Sequence, residues 1–227
     1  MRTRKFAAYC LVVLLGGCVP IPIFSLHPLY TKETITFREK LLGTWLMDPN
    51  EPEDTLEFAR LEESTASRLP FDLQDQAAKC YRVNLNGKAS VVACLVKLQD
   101  RLFLDIMPGK SPGGEQDPES TDFQVNATFF LRLHMFVRVN FSGDQLKIGL
   151  TLDDGFKKLL QAEPKAVTYT MIKETPILIK GDDTVKEHPL LTASTQELQA
   201  FVTKYADDER LFIDGKSLTR KPSNITK

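Results

Sequence analysis

The 227-residue chain has one tryptophan, three histidines and four cysteines, and it carries no excess of charge of either sign. Each scarcity excludes something. With 29 basic against 30 acidic side chains and no basic stripe, nothing is in place to neutralise a run of phosphates, so nucleic acid is not an expected partner. His27, His134 and His188 stand apart, without a second histidine or cysteine at zinc spacing. Each therefore reads as a packed or solvated histidine, and no metal site is expected. Gly-Lys-Ser occurs at 109–111 and at 215–217. A phosphate-binding loop needs a further glycine five residues before the one in that triplet, where this chain has Leu104 and Arg210. The pairs Asp153-Asp154, Asp182-Asp183 and Asp207-Asp208 lack the alternating oxygen ligands and the glycine of a calcium loop, and read as caps and turns. No Gly-x-Ser-x-Gly elbow exists, and Cys80 or Cys94 as a nucleophile would need a histidine that folding alone brings near. The expectation is a protein that is not an enzyme and has no catalytic, cofactor or metal site.

Long apolar runs are missing too. Residues 6–15 form a ten-residue apolar run without a charge, preceded by Arg2, Arg4 and Lys5. A membrane-spanning helix needs about 20 apolar residues, and this run could reach that length only through Gly16, Gly17, Pro20 and Pro22. Positive charge followed by a short apolar core is the layout of an export signal. Its end, Leu15-Gly16-Gly17-Cys18, resembles the lipobox of bacterial lipoproteins. That resemblance implies cleavage before Cys18, a thioether from its thiol to diacylglycerol, and a cell-envelope protein held on a membrane through that lipid. Two or three acyl chains at one cysteine anchor a protein firmly where one does so only marginally. Removal of residues 1–17 leaves 210 residues with 26 basic and 30 acidic side chains, enough for one domain with a substantial core.

Prolines at 20, 22 and 28 make residues 18–36 read as an extended, lipidated tether. A single β-rich domain is expected over 37–221, with a tail at 222–227. Leu41, Leu42 and Trp45 lead into a first strand, and 55–61 forms a second. Residues 79–85 and 89–98 are the arms of a hairpin about Asn86-Gly87, and 101–107 continues the meander. Residues 108–122, rich in proline, glycine and charge, read as a surface loop. The dense apolar run at 123–133 follows it. In 135–141, Met135, Val137, Val139 and Phe141 form the core face, and 146–152 repeats the alternation. Asp153 or Asp154 is expected to cap a short helix ending before Pro164. Ser194-Thr195-Gln196-Glu197 is a capping box ahead of Leu198, Phe201, Val202 and Tyr205 at helical spacing. Residues 167–172 and 176–179 read as short strands, and 210–213 as a final edge strand.

Cys10 leaves with the signal and Cys18 takes the lipid, so Cys80 and Cys94 remain to pair in an oxidising compartment. Their bond depends on hairpin register. A two-residue turn sets Cys80 opposite Ala93 and Cys94 opposite Lys79; a loop one residue longer sets the cysteines opposite each other. Buried free thiols are the alternative.

Many short antiparallel strands with few helices predict a mainly β (β-rich α+β) fold: a curved antiparallel sheet or barrel with one or two helices packed outside. Gly43-Thr44-Trp45 at the start of the first strand resembles the opening motif of lipocalins. In that family the tryptophan closes one end of an up-and-down barrel and an arginine stacks across it. Arg220 is the counterpart that the resemblance offers, although it follows the long helix, where the family's arginine precedes it. The whole chain also resembles bacterial lipoproteins that carry a Gly-Thr-Trp domain, which implies no activity. Two functions compete: an envelope interaction or assembly module, and a carrier that binds a small apolar molecule or lipid inside the barrel.

Overall fold

The structure is a computed structural model that describes residues 22–62, 69, 71–108, 133–173 and 187–222. The signal, Cys18, residues 109–122 of the expected surface loop, the apolar run as far as 132, the expected strand at 176–179 and the last five residues lie outside that set. The described strands are β1 (Phe24–Ser25), β2 (Ile35–Thr36), β3 (Gly43–Leu46), β4 (Thr55–Arg60), β5 (Cys80–Leu85), β6 (Ala89–Leu98), β7 (Arg101–Pro108), β8 (His134–Ser142), β9 (Gln145–Thr151), β10 (Tyr169–Lys173), β11 (Glu187–Leu191) and β12 (Phe212–Arg220). The helices are α1 (Phe71–Gln74), α2 (Asp153–Ala162) and α3 (Thr195–Lys204).

From β3 to β9 each strand of the meander pairs antiparallel with the next, and β12 then joins β9 to β3 and closes an eight-stranded barrel. The mainly β, lipocalin-like barrel with α2 and α3 outside is the fold class that the strand pattern predicts. Alternation sorts the strands into two layers. Trp45, Phe58, Tyr81, Val91, Leu104 and Val137 belong to the cluster inside the barrel. Val92, Cys94, Phe103, Phe136 and Phe212 face the other way, into a second core shared with α2, α3 and the N-terminal segment. That is why β6 is buried at nine of its ten positions. It is also why Phe136 and Arg138 of β8 are buried along with Val137 and Val139.

Three expectations are corrected. The strand expected at the edge over 210–213 runs on to Arg220 and is the closing strand. A bulge between Asp214 and Ser217 breaks its alternation, so the sequence shows no period-two pattern there. Residues 22–36, expected as a tether, belong to the fold. Ile23, Leu29, Tyr30 and Ile35 are buried, β1 lies between β8 and β11, and β2 pairs β6. The prolines there interrupt regular structure without preventing burial. Neither Asp153 nor Asp154 caps α2, whose N-cap is Leu152 without a side-chain bond. Ser194 does accept from the Glu197 N–H at 3.3 Å, but the Glu197 carboxylate is turned to Thr168, accepting from its N–H and its hydroxyl.

The hairpin register, which the sequence leaves open between two alternatives, is settled by the turn. Asn86 and Gly87 take the positive φ angles of a type I′ turn, and the Lys88 N–H donates to Leu85 C=O. The ladder nevertheless pairs Leu85 with Ala89, leaving Lys88 as an extra residue. The two-residue register is thereby excluded. Cys80 stands opposite Cys94, and the structure joins them by a disulfide with a Cα–Cα distance of 4.4 Å. Replacing both cysteines with alanine is expected to lower the unfolding free energy by about 3 kcal/mol, from the loop-closure entropy of a ring of roughly 15 residues. Urea denaturation of the double variant measures it; an unchanged midpoint would show that the bond contributes nothing.

Candidate functional site

Trp45 organises one end of the barrel. A turn of 3-10 helix, Glu39–Leu41, runs across that end and places Leu41 on the tryptophan, whose Nε1–H donates to Leu41 C=O at 2.9 Å. Arg220 pairs with Trp45 across β12 and β3 and lays its guanidinium over the indole, 4.4 Å from the ring centroid. The same guanidinium donates to Leu42 C=O at 2.7 Å and to Lys40 C=O. Gly43 makes room for it: φ is +110°, and a Cβ there would stand 2.9 Å from Arg220 Nη1. Gly43, Trp45 and Arg220, far apart in sequence, thus form one closed end. Nearby, Tyr81 stacks on Phe37 at 5.0 Å, and its hydroxyl accepts from the Arg38 N–H at 2.7 Å. Burial pushes the Tyr81 phenol up to about 12, so it stays neutral through the physiological range.

Side chains fill the inside of the barrel beyond this end. Trp45, Tyr81, Ala93, Leu95 and Leu146 are fully buried, and Phe58, Leu104, Val137 and Val139 nearly so. Where β7 and β9 end and β8 begins, the inward-facing Ile106, Leu150 and Met135 are only half-buried.

Two Asp-His pairs occupy the outer layer. Asp105, fully buried on β7, accepts from His134 Nδ1 at 2.7 Å through one carboxylate oxygen and from the Leu29 N–H at 2.6 Å through the other. Asp153, at the start of α2, accepts from His188 Nδ1 and from Lys157 Nζ, both at 2.7 Å. Each carboxylate is thereby used as a brace. The first ties the N-terminal segment to β7 and β8, and the second ties β11 to α2. Sequence reading takes both histidines as packed or solvated and misses their partners. The available signal was Asp105 itself, a lone carboxylate within Leu102-Phe103-Leu104-Asp105-Ile106-Met107, since a buried charge requires a partner.

Outside the barrel, Arg138 donates to Asp214 at 2.5 Å and to Ala206 C=O, and Arg101 forks onto Asp207 at 2.5 and 2.6 Å. Together they fasten β12 and the end of α3 to the barrel. A shallow depression of about 550 Å³ lies between α3 and the turn joining β6 to β7, lined by Thr34, Lys97, Gln99, Gln196, Gln199 and Lys204. Next to it, the Tyr205 hydroxyl and Lys204 bind the Glu163 carboxylate and hold its pKa below the usual range. Among the described residues no cluster of histidine, cysteine or carboxylate groups could hold a metal ion, and no helix is long and apolar enough to cross a membrane. Of the residues singled out from the sequence, the structure brings Trp45 to Arg220 and Cys80 to Cys94, and Cys18 lies outside the described set. No protein-family model, no curated protein and no solved structure matches this chain.

Proposed function

We propose that the protein is a lipid-anchored envelope lipoprotein whose barrel is a rigid, non-enzymatic scaffold for interaction or assembly with another envelope protein. The observation that carries the scaffold reading is the filled barrel. Fully or nearly fully buried Trp45, Phe58, Tyr81, Leu104 and Leu146 occupy the space that a carrier reserves for its ligand. The anchor rests on Leu15-Gly16-Gly17-Cys18 after a short charged and apolar leader. The buried Asp-His pairs are consistent with a scaffold, because both carboxylates hold segments of the chain together. A second reading, a carrier for a small apolar molecule, draws support from the half-buried Ile106, Met135 and Leu150.

Intact mass spectrometry of the protein extracted from membranes tests both halves. The expected species is residues 18–227 plus acyl chains, without a non-covalent adduct under native conditions. Cys18→Ser is expected to abolish the acyl mass and to move the protein out of the membrane fraction. An unlipidated wild-type mass would overturn the anchor, and a stoichiometric apolar adduct would favour the carrier.

A further inference from the structure

We propose that the outer edge of β10, with Met171 and Ile172, rests at headgroup depth on the same phospholipid surface that holds Cys18. The proposal rests on the lipid-anchor reading and adds the face of the domain that meets the lipid.

The first ground is reach. The chain is fixed to the barrel from Pro22 onward, through a bridge to Leu152 and a bond from the Ile23 N–H to Thr151 C=O. The four links from Cys18 to Pro22 span at most ~14 Å even when fully extended. A domain held that closely has to present to the membrane whatever surrounds Pro22.

The second ground is what lies there. β1 runs parallel to β11 with Phe24 beside Leu190, so the Pro22 end of β1 lies toward the His188 end of β11, and Ile172 pairs with His188 from the other side. Two strand spacings put β10 ~10 Å from β1, inside the reach of the anchor. Met171 and Ile172 are 42% and 41% exposed, two of the four large apolar side chains exposed among the described residues. As neighbours in a strand they project to opposite faces, which puts an exposed apolar side chain on each side of β10. Lys173 follows and is exposed, a side chain that can lay its stem along the apolar surface and leave its charge among headgroups.

The third ground is the backbone. β10 ends the sheet and has no partner on its outer side among the described residues. Unpaired N–H and C=O groups cannot enter hydrocarbon, but water and headgroups satisfy them at the interface, which sets the depth. Contact with lipid also removes this edge from pairing with other chains.

The test uses the lipidated full chain in vesicles of phosphatidylethanolamine and phosphatidylglycerol, with an environment-sensitive fluorophore on Met171→Cys or on Ile172→Cys. Lys147→Cys, on the exposed face of β9, serves as the reference position. With the native thiols lipidated or disulfide-bonded, the introduced cysteine takes the label. The expected result is a blue shift and loss of most emission to a bilayer-borne nitroxide at 171 and 172, with neither change at 147. Unshifted emission at 171 and 172 in protein that floats with the vesicles overturns the β10 placement and leaves the anchor standing; equal quenching at 147 does the same. A shift without vesicles that grows with protein concentration assigns the edge to a second copy and overturns the proposal. Protein that stays in solution overturns the anchor itself.

Discussion

Trp45→Ala is expected to lower the unfolding free energy by about 3–5 kcal/mol, the range for emptying a buried aromatic site. The indole is fully buried, and three contacts converge on it: Leu41 C=O on Nε1–H, the Arg220 guanidinium on its face, and the packing of the 3-10 turn that closes the barrel. Removing the ring leaves a void at a point where β3, β12 and the turn cannot all move in. It also leaves Arg220 over empty space, held only by its bonds to Leu42 and Lys40 carbonyls. Arg220→Ala alone is expected to cost less, about 1–2 kcal/mol, because the cation over the ring is the smaller part. In a double-mutant cycle by urea denaturation, the two losses are expected to add to more than the loss in the double variant, since each removes the same contact. Strict additivity would show that the guanidinium and the indole do not interact, and the closed end would then be simple packing.

Asp105→Ala is expected to cost a similar 3–5 kcal/mol, for a different reason. Breaking a buried pair by deleting one partner leaves the other buried without compensation. Here two groups are orphaned at once, His134 Nδ1 and the Leu29 N–H, both beneath the N-terminal segment. The loss is expected to be local before it is global. Amide hydrogen exchange is expected to speed up first over residues 23–30, because Asp105 is the bond that fastens Leu29 to β7. Asp105→Asn keeps an acceptor for the Leu29 N–H and the shape of the site, and is expected to retain more than half of the stability that alanine loses. If alanine and asparagine destabilise equally, the charge rather than the hydrogen bonds is what matters there. If neither changes exchange at 23–30, the brace does not hold the segment.

The meander was legible because its residues obey one rule each. Alternation in 135–141 and 146–152, and Asn-Gly between two apolar runs, place β5, β6, β8 and β9 within a residue or two of where they form. Ser194 to Glu197 likewise mark the start of α3, because a cap is a contact over three residues and needs no tertiary partner. Legibility failed wherever one residue answers to two layers at once. Phe136 and Arg138 read as the outward half of a half-buried strand, yet helices and β12 cover that side as well, so the polar member survives only by bonding Asp214 and Ala206. The prolines of 18–36 suggested a chain leaving the domain, because proline signals irregular backbone and says nothing about burial.

By itself the sequence determined the strands of the meander, the start of α3, the mainly β class and the pairing of Gly43 with Trp45 in one motif, since these depend on side-chain period and on neighbours a few residues apart. The tertiary structure decided that β12 closes the barrel, that Arg220 reaches the tryptophan across it, that one extra residue in a turn sets Cys80 against Cys94, and that Asp105 meets His134 and Leu29. Those contacts join residues as far apart in the chain as Trp45 and Arg220. Their register depends on bulges and closure, where a shift of one residue reverses every face, and such a shift leaves no trace in the pattern of the chain.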